Sequence, residues 1–343
     1  MLKAACLRPD DRVMLISPAA GLAGIFPHRV ENGIKAIEKL GYKALEGANA
    51  RLPGRMAGTP AQRAADIHYG LQQPAVKALV ANIGGDYVCW EVLKALDWDL
   101  VRQHPKIFMG FSDLTALLLG LYTRTGLVTF YGPMVITQFG EYPRMHPYTV
   151  KWLLKALTSV EPIGPLEPAL EWTDEMLDWA QKLDLSRPRQ LQPSAGWEWL
   201  QAGQAQGKLL GGCIQVLVDM YQHVPQYLPD FSEAIFFWES AESSPGVGHT
   251  PQQVAESLRF LKQKGLLTQM RAMIVGRPYQ YSPEWHAALK ALIISIVDDP
   301  NKPILYNLET GHTDPILTLP IGVQATLDAA RQLFSLDEAA LIV

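Results

Sequence analysis

The stretch KIFMGFSDLTALLLGLYTRTG, Lys106 to Gly126, decides the fold. Its apolar run Ile107 to Met109 meets Gly110 and Phe111, then Ser112 and Asp113, and the remainder is apolar at helical spacing. A buried strand therefore turns straight into a helix, with a serine at the turn. Upstream the same alternation recurs. RVMLIS, Arg12 to Ser17, reads as a buried strand, and Val30, Ile34, Ile37 and Leu40 then follow a helical period until Gly41 stops them. Thr59 and Pro60 form an N-cap with proline at N1, opening a helix to about Leu71. After Pro74 come a strand, VKALVANI, a GGDY turn and another helical segment. Strands written as continuous apolar runs between helices predict a parallel sheet covered on both faces, an α/β domain.

The chain has 343 residues, 48% hydrophobic and 19% charged, enough for two domains of usual size. A net charge of -4 without a basic stripe argues against a nucleic-acid polymer as partner. Cys6, Cys89 and Cys213 have no CxxC or Cys/His spacing suited to zinc, so they read as reduced thiols of a cytoplasmic protein with no metal and no cofactor. The N-terminus has two aspartates where a signal peptide needs its apolar region, and no run approaches the ~18 apolar residues of a membrane span.

From Thr158 to about Gly207 the chain is rich in proline and tryptophan with weak periodicity, as in EWTDEMLDWAQ. This predicts an ordered connection, 158–206, between an N-terminal domain at 1–157 and a C-terminal domain at 207–343. The latter begins near GKLLGGCIQVL and continues with strands at AIFFWE, AMIVG, PILYNL and ILTLPIG, mixed with helices near Thr250 to Lys264 and Pro283 to Val297.

Ligands of open parallel sheets bind at the carboxyl ends of the strands. Three loops lie there: SPAAG (Ser17 to Gly21), IGGDY (Ile83 to Tyr87) and GFSD (Gly110 to Asp113). A serine at a strand-to-helix turn exposes its hydroxyl while the next backbone N–H faces a developing oxyanion. Serine and aspartate equally suit a plain helix start, and Leu114 replaces the second glycine of a G-x-S-x-G elbow. Gly84 and Gly85 either admit a ligand to the backbone or merely turn the chain. A serine nucleophile needs a base and a group to orient it. Among eight histidines His312, in NLETGHTDPILTLPIG, is best placed, and Glu239 closes the apolar run AIFFWE, where a carboxylate requires a partner or solvent.

IGGDY, GFSDLTALL, TFYGP, LLGG, a strand-terminal glutamate and GHTDPILTLPIG, in this order and over essentially the whole chain, resemble the LD-carboxypeptidase family of serine peptidases, especially its branch around the microcin C immunity peptidase. The resemblance implies a Rossmann-like, amidotransferase-like N-terminal parallel-sheet domain, a smaller C-terminal mixed α/β domain, and an active site in the cleft between them. It implies Ser112 as nucleophile, His312 as base and Glu239 as its orienting carboxylate, with Glu242 the rival for that last role. The N–H groups of Gly84 or Gly85 and of Asp113 are the implied oxyanion donors. Two departures concern substrate choice more than the triad: Cys213 stands where many relatives have asparagine, and Ser240 where many have aspartate.

Family members of this kind cut either a murein tetrapeptide or the amide of a peptidyl nucleotide. Length, TFYGP followed by QFGEYP, and the tryptophan-rich connection favour the second, with a nucleobase stacking on Trp172 or Trp197, worth on the order of 1–3 kcal/mol. Arg277, at the end of a strand, either holds an anionic substrate group or pairs with a carboxylate. The expected partner is thus a small peptide or peptidyl nucleotide, with neither polymer nor membrane, and relatives imply a homodimer. A non-catalytic binding module with the same cleft is the alternative from another class. A nucleotide-dependent oxidoreductase is disfavoured, because SPAAGLAG is no G-x-G-x-x-G.

Overall fold

The computed structural model describes every residue except Tyr87, so that position of the IGGDY motif lies outside the described residues. Five parallel strands, β1 (Arg12–Ile16), β2 (Lys43–Glu46), β3 (Val76–Ala81), β4 (Ile107–Gly110) and β5 (Thr129–Tyr131), build the first sheet in the order 2-1-3-4-5. That is the flavodoxin-like form of a doubly wound sheet. β1 and β3 are neighbours from which the chain winds in opposite directions, and the loops after them flank the crevice where such sheets bind ligands. From Val13 to Ile16 and throughout β4 every side chain is buried, which is why these strands read as unbroken apolar runs.

The second sheet has eight strands. Its centre is parallel, from Gln204–Cys213 through Ile235–Glu239 and Ala272–Gly276 to Ile304–Leu308. The hairpin Gln324–Asp328 with Leu333–Leu336 flanks it antiparallel on one side. The segment expected to connect two domains supplies both outer strands, Gly164–Pro165 and Glu198–Gln201. In the other direction, Leu319–Ile321 leaves the second half and adds itself antiparallel to β5 as the last strand of the first sheet. Neither exchange has a sequence signal beyond a few apolar residues, since pairing across the chain is set by tertiary context.

Several helix ends follow local chemistry. Thr59 caps helix Pro60–Gln72 with a reciprocal capping box: Gln62 N donates to Thr59 Oγ1, and Thr59 N donates to Gln62 Oε1. Thr250 and Gln253 repeat the device at Pro251–Gln263. Among the described residues no helix is long and apolar enough to cross a membrane.

Candidate active site

Phe111 is still extended, with φ -144°, and Ser112 flips to φ 61° as the first residue of a short 3-10 turn that runs into helix Thr115–Thr125. A serine in the left-handed region is strained, and such strain persists only where the surroundings over-determine it. Here they do. Ser112 N donates to Tyr131 Oη at 2.9 Å, while Ser112 O accepts from Thr115 Oγ1 at 2.7 Å. Thr115 Oγ1 in turn accepts from Cys213 N at 2.9 Å, so the serine turn is bonded to the second sheet. A side chain at Gly212 would run into Thr115, which gives the LLGG motif a physical reason: the strand must approach the helix start this closely for that bond to form.

His312 lies between the two halves. Its Nε2 is 3.1 Å from Ser112 Oγ and its Nδ1 is 2.7 Å from Glu239 Oε2. The carboxylate only accepts, so Nδ1 carries the proton and Nε2 is left to accept from the serine hydroxyl. Gly311 precedes it at φ 101°, and any β-carbon there would fall on the Glu239 side chain. The glutamate ends its strand fully buried, with Oε1 accepting from Tyr131 Oη at 2.6 Å. Burial alone would lower the His312 pKa, but the charge and hydrogen bond of Glu239, with Glu242 and Asp314 adding, hold it above the ordinary histidine value. Glu242, the rival orienter, instead accepts from Gly246 N within the Glu242–Gly248 hairpin.

The two glycines after β3 separate in role. A β-carbon at Gly84 would stand 3.1 Å from Ser112 Cβ and 3.2 Å from both Ser112 Oγ and Asp113 N, so Gly84 leaves open the space in front of the hydroxyl. Gly85 packs on Ala20 instead. The Asp113 side chain turns inward, where Oδ2 accepts from Val88 N and Cys89 N, both at 3.1 Å, and burial pushes its pKa up to about 7. Arg63, also buried, donates to Pro18 O, Val88 O and Glu91, tying together the loops after β1 and β3.

The remaining predicted residues lie in a different network. Arg277 donates to Glu309 at 3.0 Å in an ion pair whose side chains are 1% and 0% exposed, with Trp172 stacked on its guanidinium at 4.9 Å. Trp197 Nε1 donates to the other Glu309 oxygen at 2.7 Å, and Ala169 N to the first at 3.1 Å. This cluster fastens the 158–206 segment to the second sheet. Cys213 Sγ and Ser240 Oγ, at the positions that depart from many relatives, both bond Gln215. Tyr131, Thr115 and Arg63 escaped the sequence reading; only the TFYGP motif hinted at the first. A cavity of about 730 Å³, lined by Tyr122, Lys208, Asp230 and Arg271 among others, contains none of the predicted residues.

Comparison with known proteins identifies the family and the fold. The family profile of the LD-carboxypeptidase N-terminal domain matches residues 13–132 and that of its C-terminal domain residues 206–327. The microcin C7 self-immunity protein of Escherichia coli is 28% identical over 98% of this chain and 96% of its own. A murein tetrapeptide carboxypeptidase of Pseudomonas aeruginosa is 34% identical over 44% of this chain and 48% of its own. The solved structure of the self-immunity protein in complex with aspartyl sulfamoyl adenosine aligns over 100% of both chains with a TM-score of 0.87 at 27% identity.

Proposed function

The chain belongs to the LD-carboxypeptidase family of serine peptidases, and from that premise we propose that Ser112, His312 and Glu239 are its catalytic triad, hydrolysing an amide at the carboxyl end of a small peptide or peptidyl nucleotide. The observation that carries the reading is the unbroken line of hydrogen bonds from Ser112 Oγ through His312 to Glu239, drawn from positions 200 and 73 residues apart. Neutral His312 takes the proton as Ser112 Oγ attacks the scissile carbonyl. The negative oxygen develops beside Gly84 and Asp113, whose backbone N–H groups serve as donors. The imidazolium, held by Glu239, then gives its proton to the leaving amine, and water clears the acyl-enzyme by the same steps in reverse. Positioned proton transfer of this kind contributes about 10²–10⁴-fold.

Full-length correspondence with a protein solved in complex with aspartyl sulfamoyl adenosine supports a peptidyl-nucleotide substrate. A second reading, a murein peptide, is supported by the engagement of the expected stacking residues: Trp197 is committed to Glu309, and Trp172 carries Arg277 on its ring. Mass spectrometry of parallel digests of murein tetrapeptide and aspartyl sulfamoyl adenosine, each with a Ser112→Ala control, separates them. Release of D-alanine alone selects the first substrate, and release of aspartate alone the second. Wild-type-level turnover by the Ser112→Ala variant would refute the triad, and failure to cut either substrate would favour a binding module. The reading extends to a cytoplasmic homodimer, each protomer having domains at 1–157 and 207–343 joined by the ordered connection 158–206. Three unpaired thiols support the compartment, and light scattering reads the assembly.

A further inference from the structure

Tyr131 closes β5, paired with Gly110 on one side and Leu319 on the other. Its ring is wedged edge-on between Phe111, at 6.3 Å, and Phe237, at 5.4 Å, which fixes where the hydroxyl points. That hydroxyl meets two of the groups the mechanism depends on. The Ser112 backbone N–H can only donate, so the phenol oxygen accepts from it, and the phenol proton is left for Glu239 Oε1. Burial, and then the Glu239 charge, push the phenol well above its ordinary pKa, so it keeps that proton. Four bonds now form a closed circuit: Ser112 Oγ to His312, His312 to Glu239, Glu239 to Tyr131, and Tyr131 back to Ser112 N.

We propose that Tyr131 is a positioning residue of this site: one oxygen holds the nucleophile in its left-handed conformation and turns the Glu239 carboxylate toward His312. Nothing in the triad reading requires this residue, since each triad member already has its partner. Two features make the role specific. The Ser112 N–H opens a helical turn, where a backbone donor has no intrahelical acceptor, and Tyr131 Oη supplies one, since an unpaired backbone donor is costly. The Glu239 carboxylate would otherwise direct its full charge at His312, because Tyr131 is the donor on its second oxygen. The other charged or titratable groups acting on His312 are Glu242 from the hairpin, Asp314 from its own loop and His249, and Tyr131→Phe leaves all three in place.

The inference rests on the triad reading, so the Ser112→Ala variant is assayed first on whichever substrate the wild type cuts. Retained turnover there sinks the triad, whatever Tyr131 does. With the triad standing, pH profiles of kcat/KM are recorded for wild type and Tyr131→Phe, with melting curves beside them. The expected result is a plateau lowered about ten- to a hundredfold through kcat, the scale of a lost hydrogen bond to a charged group. The acid limb should also move upward by about half to one pH unit, because a less neutralised Glu239 favours the imidazolium. An unchanged plateau, or a lowered plateau with an unmoved limb, overturns the proposal, since a merely structural tyrosine has no reason to shift the limb. Should Tyr131→Phe fail to fold, 3-fluorotyrosine introduced at position 131 keeps the shape and makes a stronger donor. The limb must then move downward, and a stationary limb overturns the proposal.

Discussion

Glu309→Gln removes one charge from a buried pair while keeping one of its two acceptor oxygens. In the native protein the carboxylate takes Arg277 at 3.0 Å, Trp197 at 2.7 Å and Ala169 N at 3.1 Å, and the two charged side chains are out of solvent. Glutamine has one acceptor oxygen where the carboxylate has two, so it keeps either the indole or the Ala169 amide but not both, and it leaves the guanidinium uncompensated. Removing one partner of such a pair costs about 3–5 kcal/mol. Unfolding entropy near 60 °C is about 2.1 cal/mol/K per residue, or roughly 0.7 kcal/mol/K for 343 residues, so the melting temperature should fall by about 4–7 °C. Adding Arg277→Met deletes the stranded charge and should restore most of that loss. Scanning calorimetry of wild type, both single variants and the double variant at pH 7 supplies the cycle. The reasoning fails if Glu309→Gln melts within about 1 °C of wild type or if the double variant melts as low as the single. The same double variant tests the other expectation for Arg277. A KM unchanged for the cleaved substrate leaves the arginine as a fastener of the 158–206 segment, whereas a rise of about tenfold, ~1.4 kcal/mol, would make it a substrate contact.

Three further outcomes follow from distances and charges already given. Because Glu239 holds the His312 pKa above its ordinary value, kcat/KM should climb with pH along an acid limb centred above 6.5, and a limb below that contradicts the charge argument. The Asp113 pKa is about 7 in the folded chain against about 3.9 unfolded, so the native state binds that proton more tightly. The stability it gives is complete below about pH 4 and is lost as pH rises to 7, some 4 kcal/mol in order of magnitude, and denaturation curves of Asp113→Asn should lack this slope; parallel profiles would count against it. Gly212→Ala pushes Thr115 off its bonds to Ser112 O and Cys213 N; overpacking costs about 1–3 kcal/mol, and kcat should fall more than KM changes, while unchanged kinetics would mean the bridge does not position the serine.

Much of the first sheet was legible because its strands are buried on both faces and so spell apolar runs, as β1, β3 and β4 do, and because Thr59 and Thr250 announce their helices by capping. Ser112, His312 and Glu239 were reached through motif order, and the structure brings the three within hydrogen-bond distance. Tyr131 was not legible in that way. A phenol in a short apolar strand looks like core, and its two bonds depend on a strand and a turn distant in sequence. The outer strands Gly164–Pro165 and Glu198–Gln201 were missed for a similar reason. Edge strands two to four residues long carry too little periodicity to distinguish them from a loop. Arg277 shows the limit from the other side, since a strand-terminal arginine reads the same whether its carboxylate partner is a ligand or Glu309.

The late strand Leu319–Ile321 bears on how the protein is made. As the chain leaves the ribosome, the segment carrying Ser112 emerges early, but β5 keeps an open edge until residues 319–321 arrive to cover it, and His312 emerges only shortly before them. A growing chain therefore carries Ser112 for 200 residues before His312 is made, and gains His312 and the missing sheet edge within a few residues of each other. An open strand edge is a template for unwanted pairing. Truncation before residue 319 should consequently yield an aggregating fragment rather than a soluble half of the protein.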